Sequence, residues 1–185
     1  MWQWWSENII PALLIPYMSY LETSQSLHVM VNPLVLGSSP CDCIVHWINV
    51  CCLFFNCLED IKIAYCACTP APIVLMGHGL FACSPVAPTL VVDLHVLEFM
   101  KWLFVQLTPN TTAWCEALES FLDAQGYKLH SKVHNAYHWY TVLITYIEDH
   151  VSALVHSFSS SPIQQGDSSQ PSDYLCLLAE GAQDE

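Results

Sequence analysis

The first stretch of the chain, Trp2 to Leu27, is dense in apolar, helix-compatible residues and is interrupted by Pro11 and Pro16. A proline inside a helix removes a backbone donor and presses its ring on the preceding turn, so the segment predicts a kinked helix or two short ones. A loop from Val31 to Pro40 follows, ending Gly37-Ser38-Ser39-Pro40. Two runs rich in β-branched and aromatic residues come next, Ile44 to Phe55 and Ile61 to Tyr65, and the step Asn56 to Asp60 between them predicts a hairpin. Proline turns at Thr69 to Pro72 and Ser84 to Pro88 flank the run Ile73 to Phe81, in which Gly77 and Gly79 favour a tight bend.

Helical spacing returns at Thr89 to Leu107, where Leu90, Leu94, Leu97 and Lys101 mark successive turns. The break Thr108-Pro109-Asn110-Thr111-Thr112 offers an N-cap for a helix from Ala113 to Gln125, and Gly126 stops it. A third helix is expected from about Ser131 to Phe158, followed by a serine-rich polar tail without the apolar content to fold. Trp102, Phe104, Trp114, Phe121, Trp139 and Tyr140 are expected to pack between these helices. The fold class that emerges is α+β. It comprises a kinked N-terminal helical region (1–36), a small cysteine-bearing β-hairpin unit (37–88), a bundle of about three helices (89–158) and a disordered tail (159–185).

Charge narrows the choice of partners. The 185 residues carry four lysines, no arginine and seventeen carboxylates, for a net charge of −13, so a phosphate backbone would be repelled and nucleic acid is not the expected partner. The longest apolar stretch, Ile44 to Leu58, is broken by His46, Asn49 and Asn56 and is too short to cross a bilayer as a helix. Residues Met1 to Ser6 lack the basic start and apolar run of a secretion signal. A reducing intracellular compartment is therefore expected, in which the ten cysteines are thiols rather than disulfides.

Four of those thiols fall in a telling arrangement. Cys41-Asp42-Cys43 and Cys66-Ala67-Cys68 stand at corresponding ends of the expected hairpin, which brings them together. A tetrahedral zinc with Zn–S bonds of about 2.3 Å needs sulfurs roughly 3.8 Å apart, whereas alternate residues of a straight strand lie about 6.6 Å apart. The backbone must therefore turn at each pair, and Pro40 and Thr69-Pro70 sit where it would. Cys52 and Cys83 are further candidates, for a second site or as substitutes in the first. The competing reading makes all of these small buried apolar residues.

The order Cys41, Cys43, Cys52, then Cys66-Ala67-Cys68-Thr69-Pro70-Ala71-Pro72 and Gly79-Leu80-Phe81 through Cys83 to Pro85 resembles the CxC-type cysteine cluster found ahead of the catalytic domain of fungal KDZ transposases. Pro109 to Trp114, Phe121-Leu122, Gly126 to Leu129 and His138-Trp139-Tyr140 extend the likeness, and Pro171 to Leu175 looks like a remnant of the next stretch. The resemblance implies a structural zinc held by Cys41, Cys43, Cys66 and Cys68, with Cys52 and Cys83 next in line. It also implies a non-catalytic module, because the family's metal-binding carboxylates lie beyond the end of this chain. Asp42, Glu59, Asp60, Asp93 and Glu98 are scattered, and a charge on a solvated helix face accounts for each more simply than a catalytic metal site.

Where intact members carry basic residues this chain has His46, Trp47, Cys57, His78 and Gln125. Deamination of the C-G steps in arginine codons yields cysteine, tryptophan, histidine or glutamine, and nine histidines and seven tryptophans accompany the absent arginines. The chain therefore reads as a truncated, decayed transposon copy, nuclear if it keeps the ancestral role, with Cys57 and Cys176 as former arginines outside the site. The competing functions are a helical protein-interaction module without metal and a non-functional translated remnant. No small-molecule substrate is expected. His130, His134 and His138 share a helix face at a spacing that can chelate a metal, although solvated histidines are the commoner outcome. Cys115 falls in an apolar helical pattern and is expected in the core.

Overall fold

The computed structural model describes residues 2–29, 41–129 and 133–159. Helical hydrogen bonding starts at α1 (Trp2–Trp4), widens into a π-helical turn (Trp5–Ile9) and continues as α2 (Ile10–Thr23). A regular turn would set the Pro11 ring against the carbonyl of Glu7; the wider turn, in which the Ile10 N–H donates to the Trp5 carbonyl, lies directly ahead of that proline. Pro16 remains inside α2. The expected interruption thus takes the form of a π turn, not a gap between two helices.

After α2 the chain reverses through three residues with positive φ, Gln25, Ser26 and Leu27. Two side chains hold this unfavourable run. Ser24 Oγ accepts from the Leu27 N–H at 3.1 Å, and His95 Nε2 lies 3.1 Å from the Leu27 carbonyl oxygen. His95 Nδ1 meets Asp93 Oδ1 at 2.9 Å, so both ring nitrogens face oxygen partners.

The hairpin forms as expected, from β1 (His46–Leu53) and β2 (Leu58–Tyr65), paired antiparallel from His46↔Tyr65 to Leu53↔Leu58. Its turn is Phe54 to Cys57, closed by the Phe54 N–H on the Cys57 carbonyl at 3.0 Å, slightly earlier than the polar step had indicated. The apolar run with two glycines is a short helix, α3 (Ala71–Gly77), and a strand, β3 (Leu80–Ala82). Leu90, expected in a helical turn, belongs instead to β4 (Leu90–Asp93), which pairs parallel with β1 and antiparallel with β3 to give the sheet order β2-β1-β4-β3. The β-branched pair Val91-Val92 favours a strand locally. Asp93 then starts the helix by accepting the His95 N–H at 2.8 Å.

Three helices follow, α4 (Leu94–Gln106), α5 (Thr111–Ala124) and α6 (Val133–Ser159). Asn110, within the break expected to supply the cap, accepts the Ala113 N–H at 3.0 Å, so α5 starts two residues earlier than expected, and Gly126 takes a positive φ after its end. One core, in the compact unit spanning residues 1–151, gathers Trp5, Leu13, Leu53, Phe81, Leu97, Leu122 and Tyr140. The unit 152–185 is described only through residue 159, where α6 ends. The expected tail otherwise lies outside the described residues. Trp139 and Tyr140 are buried as expected, and Phe104 and Trp114 pack on the core, but Trp102 and Phe121 are 60% and 48% exposed and do not pack between helices.

A polar network links α2, α4 and α6 inside this apolar surround. Glu98 accepts from the Tyr140 hydroxyl at 2.7 Å and from Trp102 Nε1 at 2.9 Å, and pairs with Lys101 at 2.6 Å. Tyr140 also meets Tyr17 across 3.5 Å. Burial opposes the Glu98 charge, but Lys101, Tyr140 and Trp102 together outweigh it and hold the carboxyl below its ordinary value of 4.5. A carboxylate with a lowered folded pKa stabilises the fold above its ordinary titration range and loses that contribution as pH falls through the folded value. Acid unfolding of Glu98→Gln should therefore show a flatter limb below pH 4.5 than the unsubstituted chain, measured by circular dichroism against pH.

Gly79 carries a second prediction. Its φ is +74°, and a Cβ there would land on the Tyr20 ring. Gly126 also has a positive φ, +89°, but open space around the missing Cβ. Gly79→Ala should cost about 3 kcal/mol, combining backbone strain with overlap, and Gly126→Ala only about 1 kcal/mol. Urea denaturation of the two variants measures the difference.

Candidate metal centre

The hairpin register explains how two separated cysteine pairs meet. Cys43 precedes His46 by three residues and Cys68 follows Tyr65 by three, so both lie on the line that pairs His46 with Tyr65. Their sulfurs are 3.0 Å apart. Two residues further from the hairpin on one side and two residues nearer to it on the other, Cys41 and Cys66 stand 3.6 Å apart. All four sulfurs lie within 4.8 Å of one another. Neither segment is a strand at this point, and the Cys66 N–H donates to the Thr69 carbonyl at 3.3 Å in a tight turn just ahead of Pro70. The turning backbone is what the spacing required.

Exposure divides the cluster. Cys66 is 5% exposed, Cys41 and Cys43 are half-buried, and Cys68 is open to solvent. The Cys68 sulfur, then that of Cys41, then burial push the Cys43 thiol up to about 12. Crowded thiols resist ionising because each new charge meets its neighbours, and a dication at their centre reverses that penalty. Four sulfurs within 4.8 Å of one another can close on the roughly 3.8 Å edge of a tetrahedral thiolate site, and an all-sulfur donor set suits a soft or borderline cation. The residues present therefore fit a metal ion. Among the described residues this is the one group of three or more Cys, His, Asp or Glu side chains close enough to share one.

Cys52 and Cys83 are not brought to it. Cys52 is fully buried in β1, and burial first, then Cys51 and the carboxylates of Glu59, Asp60 and Asp93, push its thiol up to about 12. Cys83 is 6% exposed, directly after β3, with its N–H on the Leu90 carbonyl at 3.1 Å. Both belong to the hydrophobic core. The pattern that sets them apart is strand alternation: Cys52 continues the buried series of Val50, while Cys51 on the other face is half-buried. Cys57 sits in the hairpin turn near Glu59, outside the cluster, and Cys115 is core, both as expected. Cys176 and His130 lie outside the described residues.

His134 and His138 do project from α6, where with Trp2, Trp5, Cys83 and Trp139 they line a cavity of about 440 Å³. The scattered carboxylates do not share a solvated helix face: Asp93 is buried at the end of β4, where it caps α4, Glu98 is partly buried in the tyrosine network, and Glu59 and Asp60 lie in β2. Asp42, Glu59 and Asp60 are exposed. None of the described helices is long and apolar enough to cross a membrane.

No curated protein matches the chain, and no solved structure does. A family model does match, over residues 36–126, a span that holds all four clustered cysteines, the whole sheet and the helices α4 and α5. Residues 36–126 match the model of the CxC1-like cysteine cluster associated with KDZ transposases.

Proposed function

We propose that the chain is a non-catalytic zinc module, of the kind that stands in the N-terminal part of a KDZ-type transposase. Cys41, Cys43, Cys66 and Cys68 hold one structural zinc at the open end of the β1–β2 hairpin. The observation that carries this reading is the group of four sulfurs, all within 4.8 Å of one another. The far end of the hairpin is closed by its turn, and the four sulfurs stand at the other end. A zinc bound there staples residues 41–45 to residues 66–69, and metal binding of this type contributes directly to folding.

The module's partner, in this reading, is a protein. A net charge of −13 opposes a nucleic-acid surface, and the bound metal adds to it, since four leaving protons outweigh the two charges of the ion. Ile44, Val45 and Trp47 are exposed immediately beside the cluster and offer apolar contact. The ancestral setting is nuclear. A second reading, favoured by the complete absence of arginine, makes this a decayed transposon copy that no longer serves a transposase. Ordinary C-G dinucleotide content in the coding sequence would remove its basis.

Elemental analysis of the purified chain should find one zinc per molecule. Cys43→Ser and Cys68→Ser should each weaken zinc binding by about a hundredfold or more and lower the melting temperature, whereas Cys52→Ala should keep the full stoichiometry while loosening the core. Zinc added to metal-free protein near neutral pH should release on the order of four protons, read with a pH indicator in weak buffer. A chain that binds no zinc, or that binds it equally well after Cys43→Ser, contradicts the proposal.

A further inference from the structure

The two cysteine pairs are unequal in a way that metal binding does not explain. Cys43 and Cys68 approach to 3.0 Å on the solvent side of the cluster, and Cys68 is exposed. Cys41 and Cys66 are 3.6 Å apart on the inner side, where Cys66 is 5% exposed. A tetrahedral metal treats its four sulfurs alike, but a soluble oxidant does not. It attacks the sulfur it can reach, and the product is fixed by whichever second thiol stands closest.

From this we infer that Cys43 and Cys68 form a peroxide-sensitive pair, whose oxidation to a disulfide releases the metal from the cluster. The inference rests on the zinc reading for its consequence, while the pairing rests on the sulfur geometry alone. In the first step one thiolate of the outer pair attacks hydrogen peroxide, giving a sulfenic acid and hydroxide. In the second the partner sulfur attacks the sulfenic sulfur, forming the S–S bond and expelling the oxygen as water once protonated. The two thiols lose two electrons and peroxide gains them, yielding two waters overall. Cys41 and Cys66 remain as two thiolates, too few to complete a four-sulfur site, and the ion departs. A dithiol reductant reverses the step by thiol–disulfide exchange.

Cys43 and Cys68 stand three residues beyond the last ladder pair, His46↔Tyr65, with their sulfurs already in contact. Closure draws together two sulfurs already at 3.0 Å toward a bond length of about 2.05 Å. The disulfide would staple the open end of the hairpin in place of the metal, so the fold survives oxidation while the metal site does not.

The experiment treats zinc-loaded protein with substoichiometric hydrogen peroxide, follows free zinc with a chromogenic chelator and maps the first disulfide by tandem mass spectrometry. Zinc release in step with a Cys43–Cys68 disulfide is the expected result, reversed by dithiothreitol. A parallel arm uses metal-free protein and two double variants. Cys41→Ser with Cys66→Ser should cross-link at nearly the unsubstituted rate, and Cys43→Ser with Cys68→Ser about tenfold more slowly. A first disulfide at Cys41–Cys66, equal rates in the two variants, or outer-pair oxidation with zinc retained would each overturn the inference. Because the metal-free arm needs no zinc, failure of the chain to bind zinc is distinguishable from failure of the outer pair to oxidise first.

Discussion

The antiparallel register of β1 and β2 is the constraint on which the site depends. Every pair in that ladder is fixed from Leu53↔Leu58 outward to His46↔Tyr65, and the line continued by three residues on each strand meets Cys43 and Cys68. A slip of one residue would turn Val50 and Cys52 from the core to the opposite face, so core burial enforces the register that the thiols need. The sulfur cluster is thus a consequence of apolar packing at a distance. Its four side chains need only short turns, such as the one at Cys66 to Thr69, to gather around a single point.

That register is itself anchored by what covers the sheet. β4 pairs with β1 on one side and β3 on the other, and the residues of both short strands are buried. Phe81 of β3 stacks on Trp5 of the π turn, which in turn stacks on Trp139 of α6, so the N-terminal and C-terminal helices meet through one aromatic column. His95 and Ser24 hold the reversal after α2 against the start of α4, and Glu98 binds Tyr140 across the helix layer. These polar ties fix orientation that apolar contact alone leaves loose.

Much of this was legible in the residues. β-branched runs around a polar step gave the hairpin, paired Cys-x-Cys at its ends gave the four-thiol group, and Asn110 with Gly126 bracketed α5. What escaped had identifiable causes. Leu90 to Asp93 is a strand because β1 offers a free edge to Val91 and Val92, a long-range partner that local spacing cannot register. α3 was hidden behind Pro70 and Pro72, residues that read as a turn yet also suit the first positions of a helix. The π turn was foreshadowed by Pro11 only as a disturbance, since several distortions relieve the same clash. Cys52 and Cys83 were candidates because cysteine serves equally as a ligand and as a buried apolar residue; their burial in the core separates the two uses.

The central claim is that four sulfurs from the two ends of one hairpin surround a single zinc ion. X-ray absorption at the zinc edge of the metal-loaded chain tests it most directly. The account predicts one shell of four sulfur scatterers at about 2.3 Å. A shell dominated by nitrogen or oxygen, or one with only two sulfurs, would contradict it.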